Sequence, residues 1–543
     1  MAAANFIQSF KKSLKDQPFG QTAHIVLIAV FSLICFALAT YDSLWFDEAY
    51  SVGMARHSFP EIVDIGSADV HPVLYYFALH VLYMIFGPNV IVYRVFSVLG
   101  IAVLSLLGFT HCRKDFGPKF GFIFSLLTFL IPWCIHNAYQ IRMYSWLSVA
   151  VMVTAIYGWR ITYWCKVSGD NPNIDPSVIP CGWWIALGLS SIVAAYLHYY
   201  GAIAAFAIQF LVLVSIIRCQ VLRARHIQIW ALSALLCILA YCPWLFAVVS
   251  QSQAVARGFW ISLDYPSAFG EILTFPFNSP EVVNLFSGSV SVRGHITLSS
   301  ILTLVMLSLV FVLGACSFAF GVKIGPVKDR SPSCDGNKLL FACRYFGSVF
   351  IGTICITAVI SCAIGQSILY FRYLAACIGP WLLVVSIVIM EIDSTNIKRI
   401  AWVIVAVFCI LGYSGAAVWT RSPESASSMS SLSKFIDRAT EMNSKTPLVM
   451  FEDWSYTVLT ESGQCPQGTF VTQDKSYRAF EPNAELVPSY EEALGHYSGI
   501  FIFGGSYDEA VELANSYGGE IVDTESHFHP YSGNTLTLTS IKI

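Results

Sequence analysis

The chain has 543 residues, of which 56% are hydrophobic and only 12% are charged, whereas about 25% of the residues of a soluble domain carry a charge. This composition excludes intrinsic disorder and fibrous folds, and the net charge of −3 provides no basic field that would attract nucleic acid. The sequence therefore predicts a multi-pass α-helical protein of the cell membrane.

Eleven apolar stretches predict membrane-spanning helices, because a span takes about 20 mostly apolar residues. In chain order they cover residues 22–40, 91–111, 119–136, 143–163, 182–198, 201–217, 228–249, 297–321, 345–366, 373–391 and 400–419. The first stretch begins too late and runs too long for a cleavable signal peptide, so we interpret it as a signal anchor. Together these stretches define a membrane domain over residues 1–420.

A twelfth apolar segment, residues 71–87, is bounded by Pro72 and by Gly87, and it contains His71 and His80. Counting it as a span would invert every later loop and would place the basic residues after span two outside. We therefore expect an interfacial or re-entrant helix in the first outer loop.

Lys and Arg residues predict the orientation of the spans, because they accumulate in cytoplasmic loops. Counted from the sequence, 18 basic residues occupy alternate loops starting with the N-terminus, and the opposite loops hold six. The N-terminus is therefore expected on the cytoplasmic side, and with eleven spans the C-terminus is expected outside.

The composition changes after residue 420. Residues 421–431 are a polar linker, and residues 432–543 are predicted to form a small extracytoplasmic α/β domain that positions the acceptor and has no catalytic group of its own. The predicted elements are buried strands at 447–453 and 499–505, a helix at 506–518 and an edge strand at 534–543. His527 and His529 are expected in a surface loop.

The first outer loop, about residues 41–90, contains an adjacent pair of carboxylates, Asp47 and Glu48, followed by Asp69 and His71. The simplest interpretation is a set of hydrated loop charges. The aromatic neighbours of the pair, Trp45, Phe46 and Tyr50, instead suggest a partly buried carboxylate, and burial tunes such a group towards general-base catalysis.

Other outer helix ends carry arginine and aromatic residues, against the usual bias of basic residues to the inside. For each alone, an interfacial aromatic belt or a snorkelling arginine is a sufficient explanation. Their convergence predicts a site that needs anions, supplied by the carboxylates and by a lipid phosphate. The candidates for donor-phosphate and substrate binding are Arg142, Tyr144, His198, Tyr199, Arg372 and Tyr373, with Arg257, Phe259 and Trp260 after span seven.

At these residues the sequence resembles the integral membrane glycosyltransferases of the C-type fold, near the family 39-like branch of protein O-mannosyltransferases and aminoarabinose transferases. The matching pieces are SLWFDEAYS, DVHPVLYY, QIRMYSW, LHYYG and FRYL, which follow the order of that family over most of the first 380 residues. The chain differs in having HPVLYY where relatives often have HPPLYY. Its C-terminal region does not resemble the β-trefoil of the O-mannosyltransferases.

The resemblance implies an inverting transfer of a sugar from a polyprenyl-phosphate donor to a hydroxyl acceptor on the outer face of the membrane. It assigns the general base to Asp47, and we expect Glu48 to orient the site or to bind a metal. Arg142 and Arg372 are the best-placed residues to stabilise the leaving phosphate. No metal is required, although Asp47, Glu48, Asp69 and His71 remain a possible divalent metal site, with Asp69 and His71 otherwise in support.

Two other classes of function remain open. One is a transporter or flippase of lipid-linked sugars, which would need arginine in its outer half but no carboxylate pair, and which more often shows internal repeats. The other is a polymerase or ligase of lipid-linked glycans. A groove leading from the bilayer to Asp47 would favour the transferase.

Overall fold

The structure is a computed structural model. It describes residues 19–40, 44, 46–170, 179–219, 223–257, 272, 274–277, 279–282, 336–392, 395–421, 448–450, 469–471, 478–480, 485–487, 499–503, 507–529 and 534–542. The predicted span at 297–321, Trp45, Phe259 and Trp260 lie outside the described residues, as do the side chains of Phe46 and Arg257 and all of the predicted linker after residue 421.

Helices account for most of the described membrane domain. They are α1 (Gln21–Leu38), α2 (Phe46–Met54), α3 (Phe59–Ala68), α4 (Leu74–Phe86), α5 (Val90–Leu107), α6 (Pro118–Leu130), α7 (Pro132–Tyr139), α8 (Tyr144–Asp170), α9 (Cys181–Leu197), α10 (Tyr199–Arg218), α11 (Arg223–Arg257), α12 (Gly336–Ile364), α13 (Ile378–Glu391) and α14 (Thr395–Arg421). A π-helical turn and a short last helix extend α5 to Phe116, and a 3-10 helix, Phe371–Cys377, precedes α13.

Among the described residues, seven helices are long and apolar enough to cross a bilayer, and an eighth span results if α6 and α7 count as one span bent by 66°. The predicted count of eleven is therefore not confirmed. The stretch at 182–198 folds as α9, which has 17 residues. The stretch at 143–163 folds as α8, most of whose side chains are buried. A helix surrounded by other helices can carry polar and aromatic residues that a lipid-facing helix cannot.

The predicted first outer loop contains three short helices, α2, α3 and α4. α4 has 13 residues, which corresponds to about 20 Å at 1.5 Å per residue, whereas a hydrocarbon core is about 30 Å thick. It is too short to span, in agreement with the expected non-spanning helix. A capping box between Ser58 and Glu61 begins α3 and fixes its direction.

Three breaks between helices create the polar end of the membrane domain. α7 ends at Tyr139, and residues 140–143 separate it from α8. His198 is a single extended residue between α9 and α10, where its Nδ1 accepts a hydrogen bond from the backbone N–H of Tyr200 at 3.1 Å. The third break precedes the 3-10 helix that begins at Phe371.

After residue 447 the described residues form a six-stranded sheet and one helix, α15 (Tyr507–Ser516). The strands are β1 (Leu448–Met450), β2 (Thr469–Val471), β3 (Glu485–Val487), β4 (Gly499–Phe503), β5 (Glu520–His529) and β6 (Asn534–Lys542). The order in the sheet is β3-β2-β1-β4-β6-β5. The first four strands of this order, β3, β2, β1 and β4, are parallel to one another, and β6 is antiparallel to both of its neighbours, β4 and β5.

Two sequence predictions for this region are wrong. β6 is not an edge strand, because β5 pairs along it and forms the edge instead. The edge strand is β5, and it contains His527 and His529, which the sequence placed in a surface loop. In β6, apolar and polar residues alternate because one face of the strand is covered and the other is not. This alternation says nothing about whether strands pair along its sides, and β6 has a strand on each side.

Candidate active site

Asp47 lies in the first turn of α2 and contacts two arginines from distant segments. Its Oδ2 accepts a hydrogen bond from Arg372 Nη1 at 2.9 Å and lies 3.9 Å from Arg142 Nε. Arg142 also donates to the main-chain oxygen of Asp47, at 3.2 Å. The structure therefore brings together three of the residues that the sequence singled out, from the first outer loop, the α7–α8 turn and the 3-10 helix.

The pKa of Asp47 results from two opposed effects. Burial by itself would raise it, but the positive charges of Arg142 and then Arg372 outweigh burial and hold the pKa below its ordinary value. The carboxylate is therefore ionised at neutral pH, and in this state it is a weak base.

Asp69 and His71 form a relay that ends on Arg142. A guanidinium group has donors only, so Arg142 Nη2 donates to His71 Nε2 at 3.3 Å and that nitrogen carries no proton. His71 Nδ1 then carries the proton and donates to Asp69 Oδ2 at 3.1 Å. Burial would raise the pKa of Asp69, but His71 outweighs it and lowers that pKa. Through these hydrogen bonds, Asp69 and His71 orient Arg142.

His198 is the centre of an aromatic cluster beside this relay. Its ring centroid lies 4.8 Å from that of Tyr373, 5.6 Å from that of His71 and 5.8 Å from that of Tyr144. Burial, followed by the charges of its cationic neighbours, lowers the pKa of His198 well below the ordinary value. Because Nδ1 accepts from the backbone, the neutral ring carries its proton on Nε2, which is a hydrogen-bond donor.

Aromatic faces flank Arg372 as well. Its guanidinium carbon lies 5.6 Å from the ring centroid of Tyr370 and 6.0 Å from that of Tyr144. Such cation–π contacts favour an arginine over a lysine and keep the planar group at a fixed tilt. Tyr144 and Tyr370 thus flank the cation that pairs with Asp47.

Glu48 belongs to a separate ion pair. Arg94 donates to both of its oxygens, at 2.6 Å and 3.1 Å, and the backbone N–H of Ile141 donates to Oε1 at 2.9 Å. Arg94 also donates to the main-chain oxygen of Tyr139 at 2.7 Å. Glu48 and Arg94 are both fully buried. These contacts support an orienting role for Glu48, which joins α2 to α5 and to the turn that carries Arg142.

Tyr199 takes part in another network, between α10, α11 and α3. Its hydroxyl donates to Gln251 Oε1 and accepts from Trp244 Nε1 at 3.0 Å. Gln251 in turn donates to the main-chain oxygens of Gly66 and Ser67, at 3.0 Å and 3.1 Å. The hydroxyl of Tyr199 therefore serves helix packing rather than the contacts around Asp47.

Two residues of the neighbourhood escaped the sequence analysis. Arg94 was counted only as a basic residue of an outer loop, although an arginine within an apolar helix signals a buried counter-charge. Glu281 contacts His136 Nδ1 at 2.5 Å and also accepts from the hydroxyl of Tyr139. No spacing or motif distinguishes Glu281 in the sequence, because its two partners lie more than 140 positions earlier.

Residues 478–480 lie against the loop that carries Asp47. His57 Nε2 donates to the main-chain oxygen of Arg478 at 2.8 Å, and the ring of Phe480 meets that of Tyr50 edge-on at 5.5 Å. Gly53 is required here, because a Cβ at this position would collide with the main-chain oxygen of Ala479. The chain thus closes onto α2 at Tyr50 and Gly53, within two turns of Asp47.

Within the described part of the chain, no group of three or more His, Cys, Asp or Glu side chains is arranged to hold a metal ion. His71 uses one nitrogen on Asp69 and the other on Arg142, and Glu48 is occupied by Arg94 and Ile141. The contacts of these residues are those of a hydrogen-bonded network.

No family model matches the sequence, and no curated protein matches it. Solved structures do. ArnT from Cupriavidus metallidurans in the apo state is 14% identical with a TM-score of 0.46, and ArnT bound to undecaprenyl phosphate is 15% identical with a TM-score of 0.48; both alignments cover 95% of this chain and 97% of ArnT.

The oligosaccharyltransferase of Archaeoglobus fulgidus, in complex with zinc and sulfate, is 10% identical with a TM-score of 0.38, over 88% of this chain and 67% of that chain. Likeness at this level identifies neither the family nor the substrate, so the function has to be argued from the site.

Proposed function

We propose that the chain is a glycosyltransferase that moves a sugar from a polyprenyl-phosphate donor to a hydroxyl acceptor, with inversion at the anomeric carbon. One observation carries the proposal: Asp47 Oδ2 lies 2.9 Å from Arg372 and 3.9 Å from Arg142, both on segments distant in sequence. An inverting transfer needs a base for the hydroxyl and a cationic site for the leaving phosphate, and this cluster contains both.

The arginines stabilise the leaving group. When the bond between the anomeric carbon and the phosphate oxygen breaks, its electron pair stays on that oxygen, and the phosphate gains negative charge. Arg142 and Arg372 are fixed by their neighbours before the reaction, so they stabilise this charge without reorganising. Their planar N–H groups match the geometry of phosphate oxygens.

Asp47 acts as the general base. The acceptor hydroxyl attacks the anomeric carbon from the face opposite to the phosphate, and its proton passes to the carboxylate of Asp47. A hydroxyl is too weak a nucleophile unless such a group takes its proton in the transition state. The products are the glycosylated acceptor, the polyprenyl phosphate and a protonated Asp47 that returns its proton to solvent.

Donor binding converts Asp47 from a partner of arginine into a base. In the donor-free protein the arginines lower its pKa and make it a weak base. The donor phosphate is itself an anion and takes over N–H groups of the same two arginines. With part of their charge neutralised, the pKa of Asp47 rises towards the range in which a carboxylate accepts a proton efficiently.

The neighbouring residues bind and orient the donor. His198 offers Nε2–H as a further neutral donor to the phosphate or to a sugar hydroxyl, and the rings of Tyr144 and Tyr373 line the same space. Asp69 and His71 orient Arg142, because Arg142 donates to His71 and His71 donates to Asp69. Because two guanidinium groups supply the positive charge that a metal would supply to a diphosphate, the proposed transfer requires no divalent cation.

The C-terminal region, in this proposal, selects or positions the acceptor from the outer side of the membrane. Residues 478–480 touch α2 within a few residues of Asp47. An acceptor held by this region would therefore lie close to the carboxylate of Asp47. This region contributes no catalytic group in the proposed reaction.

A deletion strain tests the proposal. We expect mass spectrometry to show one polyprenyl-phosphate sugar accumulating and one surface glycan, lipid or protein losing that sugar. Complementation with the wild-type gene should reverse both changes, and complementation with an Asp47→Asn gene should reverse neither. Full reversal by Asp47→Asn contradicts the transferase. A donor that accumulates only on the cytoplasmic leaflet supports a flippase instead.

A further inference from the structure

A second buried carboxylate, Glu281, lies against the helix that leads into the Arg142 turn. It is 2% exposed, and its Oε1 accepts from His136 Nδ1 at 2.5 Å and from the hydroxyl of Tyr139. Both donors are on α7, one turn apart, and Tyr139 is its last residue. A single carboxylate oxygen therefore ties the segment 279–282 to the C-terminal end of α7.

The turn that follows Tyr139 is fixed from its other side by the Glu48–Arg94 pair. Arg94 donates to the main-chain oxygen of Tyr139 at 2.7 Å, and Ile141 N–H donates to Glu48 at 2.9 Å. Arg142 comes next, and its own N–H donates to the oxygen of Gln140 at 2.8 Å. The backbone that carries Arg142 is thus held between two buried carboxylates, one from α2 and one from the segment around Glu281.

The segment of Glu281 is itself anchored to the rest of the fold. The main chain of Glu281 packs so closely on Gly415 of α14 that a Cβ there would lie 2.8 Å from its carbonyl oxygen. Earlier in the same segment, the oxygen of Pro276 accepts from the N–H of Trp133 at 3.3 Å. Glu281 is therefore a fixed point to which α7 is attached.

Glu281 is ionised in this environment. Burial by itself would raise its pKa, but His136, through its charge and its hydrogen bond, and the hydroxyl of Tyr139 outweigh burial and lower it. A charged acceptor makes stronger hydrogen bonds than a neutral amide would, and it accepts from two donors at once.

We propose that Glu281 is a positioning residue that sets the place of Arg142 at the donor phosphate, an inference that rests on the proposed function. The connection runs from Glu281 through Tyr139 to the Arg142 turn. Glu281 does not contact the phosphate. Replacing Glu281 should therefore weaken donor binding only in a protein that contains Arg142. Replacing a residue that merely stabilises the fold would weaken binding equally with and without Arg142.

A double-mutant cycle with Glu281→Gln and Arg142→Ala tests this connection. The measured quantity is the Kd of the purified protein for undecaprenyl phosphate. We expect Glu281→Gln alone to weaken binding by about 10- to 100-fold, the range for a displaced positioning group. In the Arg142→Ala protein, the same change should weaken binding by less than about 2-fold.

Asp115→Asn is the matched control. Asp115 forms a largely buried ion pair with Arg160, with an N–O distance of 2.8 Å, after the far end of α5. This variant carries the same carboxylate-to-amide change, and its Kd for undecaprenyl phosphate should stay within about 2-fold of the wild-type value. Tyr139→Phe removes only one donor to Glu281 and should weaken donor binding in the same direction, by less than Glu281→Gln.

The outcomes separate the two levels of the proposal. If Arg142→Ala binds undecaprenyl phosphate weakly and Glu281→Gln binds it normally, only the inference about Glu281 is overturned. The same inference is overturned if the increase in Kd of the double variant equals the product of the increases in the two single variants. Normal binding by Arg142→Ala overturns the proposed phosphate site and this inference with it. If Glu281→Gln does not fold, Tyr139→Phe decides: an unchanged Kd overturns the inference, and an increase that vanishes with Arg142→Ala supports it.

Discussion

Asp47 and Glu48 are adjacent in α2, and each pairs with an arginine from another segment, yet the two ion pairs differ in access and completeness. Glu48 and Arg94 are 1% and 0% exposed and share two hydrogen bonds, and a backbone N–H fills a further position on Glu48. Asp47 and Arg372 are 18% and 15% exposed and share one hydrogen bond of 2.9 Å.

This difference separates a structural ion pair from one that can exchange partners. Consecutive residues of a helix point about 100° apart, so a single step along α2 turns one carboxylate into the protein and the other towards the arginine cluster. The Glu48 pair has no free position for a ligand. The Asp47 pair is partly exposed on both partners, and this access is what a site needs if phosphate is to replace carboxylate.

The largest effect is expected from Asp47→Asn. The amide keeps the shape of the side chain but cannot take a proton, so transfer should fall by about 10²- to 10⁴-fold. The melting temperature in detergent should change little, because the pair is partly open. Sugar transfer by the purified variant, measured with labelled donor, checks this, and near-normal turnover would remove Asp47 from the role of base.

Glu48→Gln should lower folding stability more than it lowers turnover, the reverse of Asp47→Asn. Breaking a buried ion pair leaves Arg94 without its counter-charge and costs about 3–5 kcal/mol of folding stability. We expect a lower yield and a lower melting temperature, together with a smaller loss of turnover per folded molecule than in Asp47→Asn. A Glu48→Gln protein with wild-type stability would contradict the distinction between the two pairs.

Arginine-to-lysine changes extend the comparison to the cations. Arg372→Lys should weaken use of the donor by roughly 10-fold, because lysine keeps the charge but loses the planar group and its aromatic stacking. Arg94→Lys should mainly lower stability, since one ammonium group cannot replace the bonds of Arg94 to Glu48 and Tyr139 at once. Steady-state KM for the donor and melting curves, measured on both variants, separate the two effects.

The pH dependence should reveal the exchange of partners at Asp47. In the donor-free protein the arginines depress its pKa, so its ion pairs are complete above the ordinary value of 3.8 and are lost only as pH falls through the lower folded value. The acid limb of kcat/KM should lie in that low range. The limb of kcat should lie at higher pH, because bound phosphate has displaced the carboxylate. Coincident limbs would argue against the exchange.

The smallest effect is expected from a chelator. If Arg142 and Arg372 provide the charge that stabilises the leaving phosphate, as proposed, transfer after dialysis against EDTA should stay within about 2-fold of the untreated value. A loss that zinc or manganese restores would point instead to the carboxylate and imidazole donors of the first outer loop as metal ligands.

The sequence predicted much of the site because charge placement along a membrane protein is restrictive. Arg142 and Arg372 break the bias of basic residues to the inside, and the Asp47–Glu48 pair follows the first span directly. The structure brings Asp47, His71 and both arginines together. The same rule also marks Arg94, but nothing in the sequence tells whether its partner is Asp47 or Glu48, because that choice depends on the rotation of α2.

Other features depend on contacts that leave no local signal. Glu281 lies in a stretch without periodicity or motif, and its partners on α7 are fixed only by tertiary packing. Tyr199 follows His198 directly in the sequence, but its hydroxyl binds Gln251 instead. The span count is not confirmed, since α9 has only 17 residues and the predicted span at 297–321 lies outside the described residues. β6 was misplaced because alternation does not distinguish an inner strand from an edge strand.

The contact between α2 and residues 478–480 also orders events during synthesis. Tyr50 and Gly53 leave the ribosome early, but the Ala479 and Phe480 groups that cover them follow about 430 positions later. At about 5–20 residues per second, this interval is roughly 20–90 s. The helix that carries Asp47 therefore completes its packing only after residue 480 has been synthesised, long after the other helices of the same loop have been made.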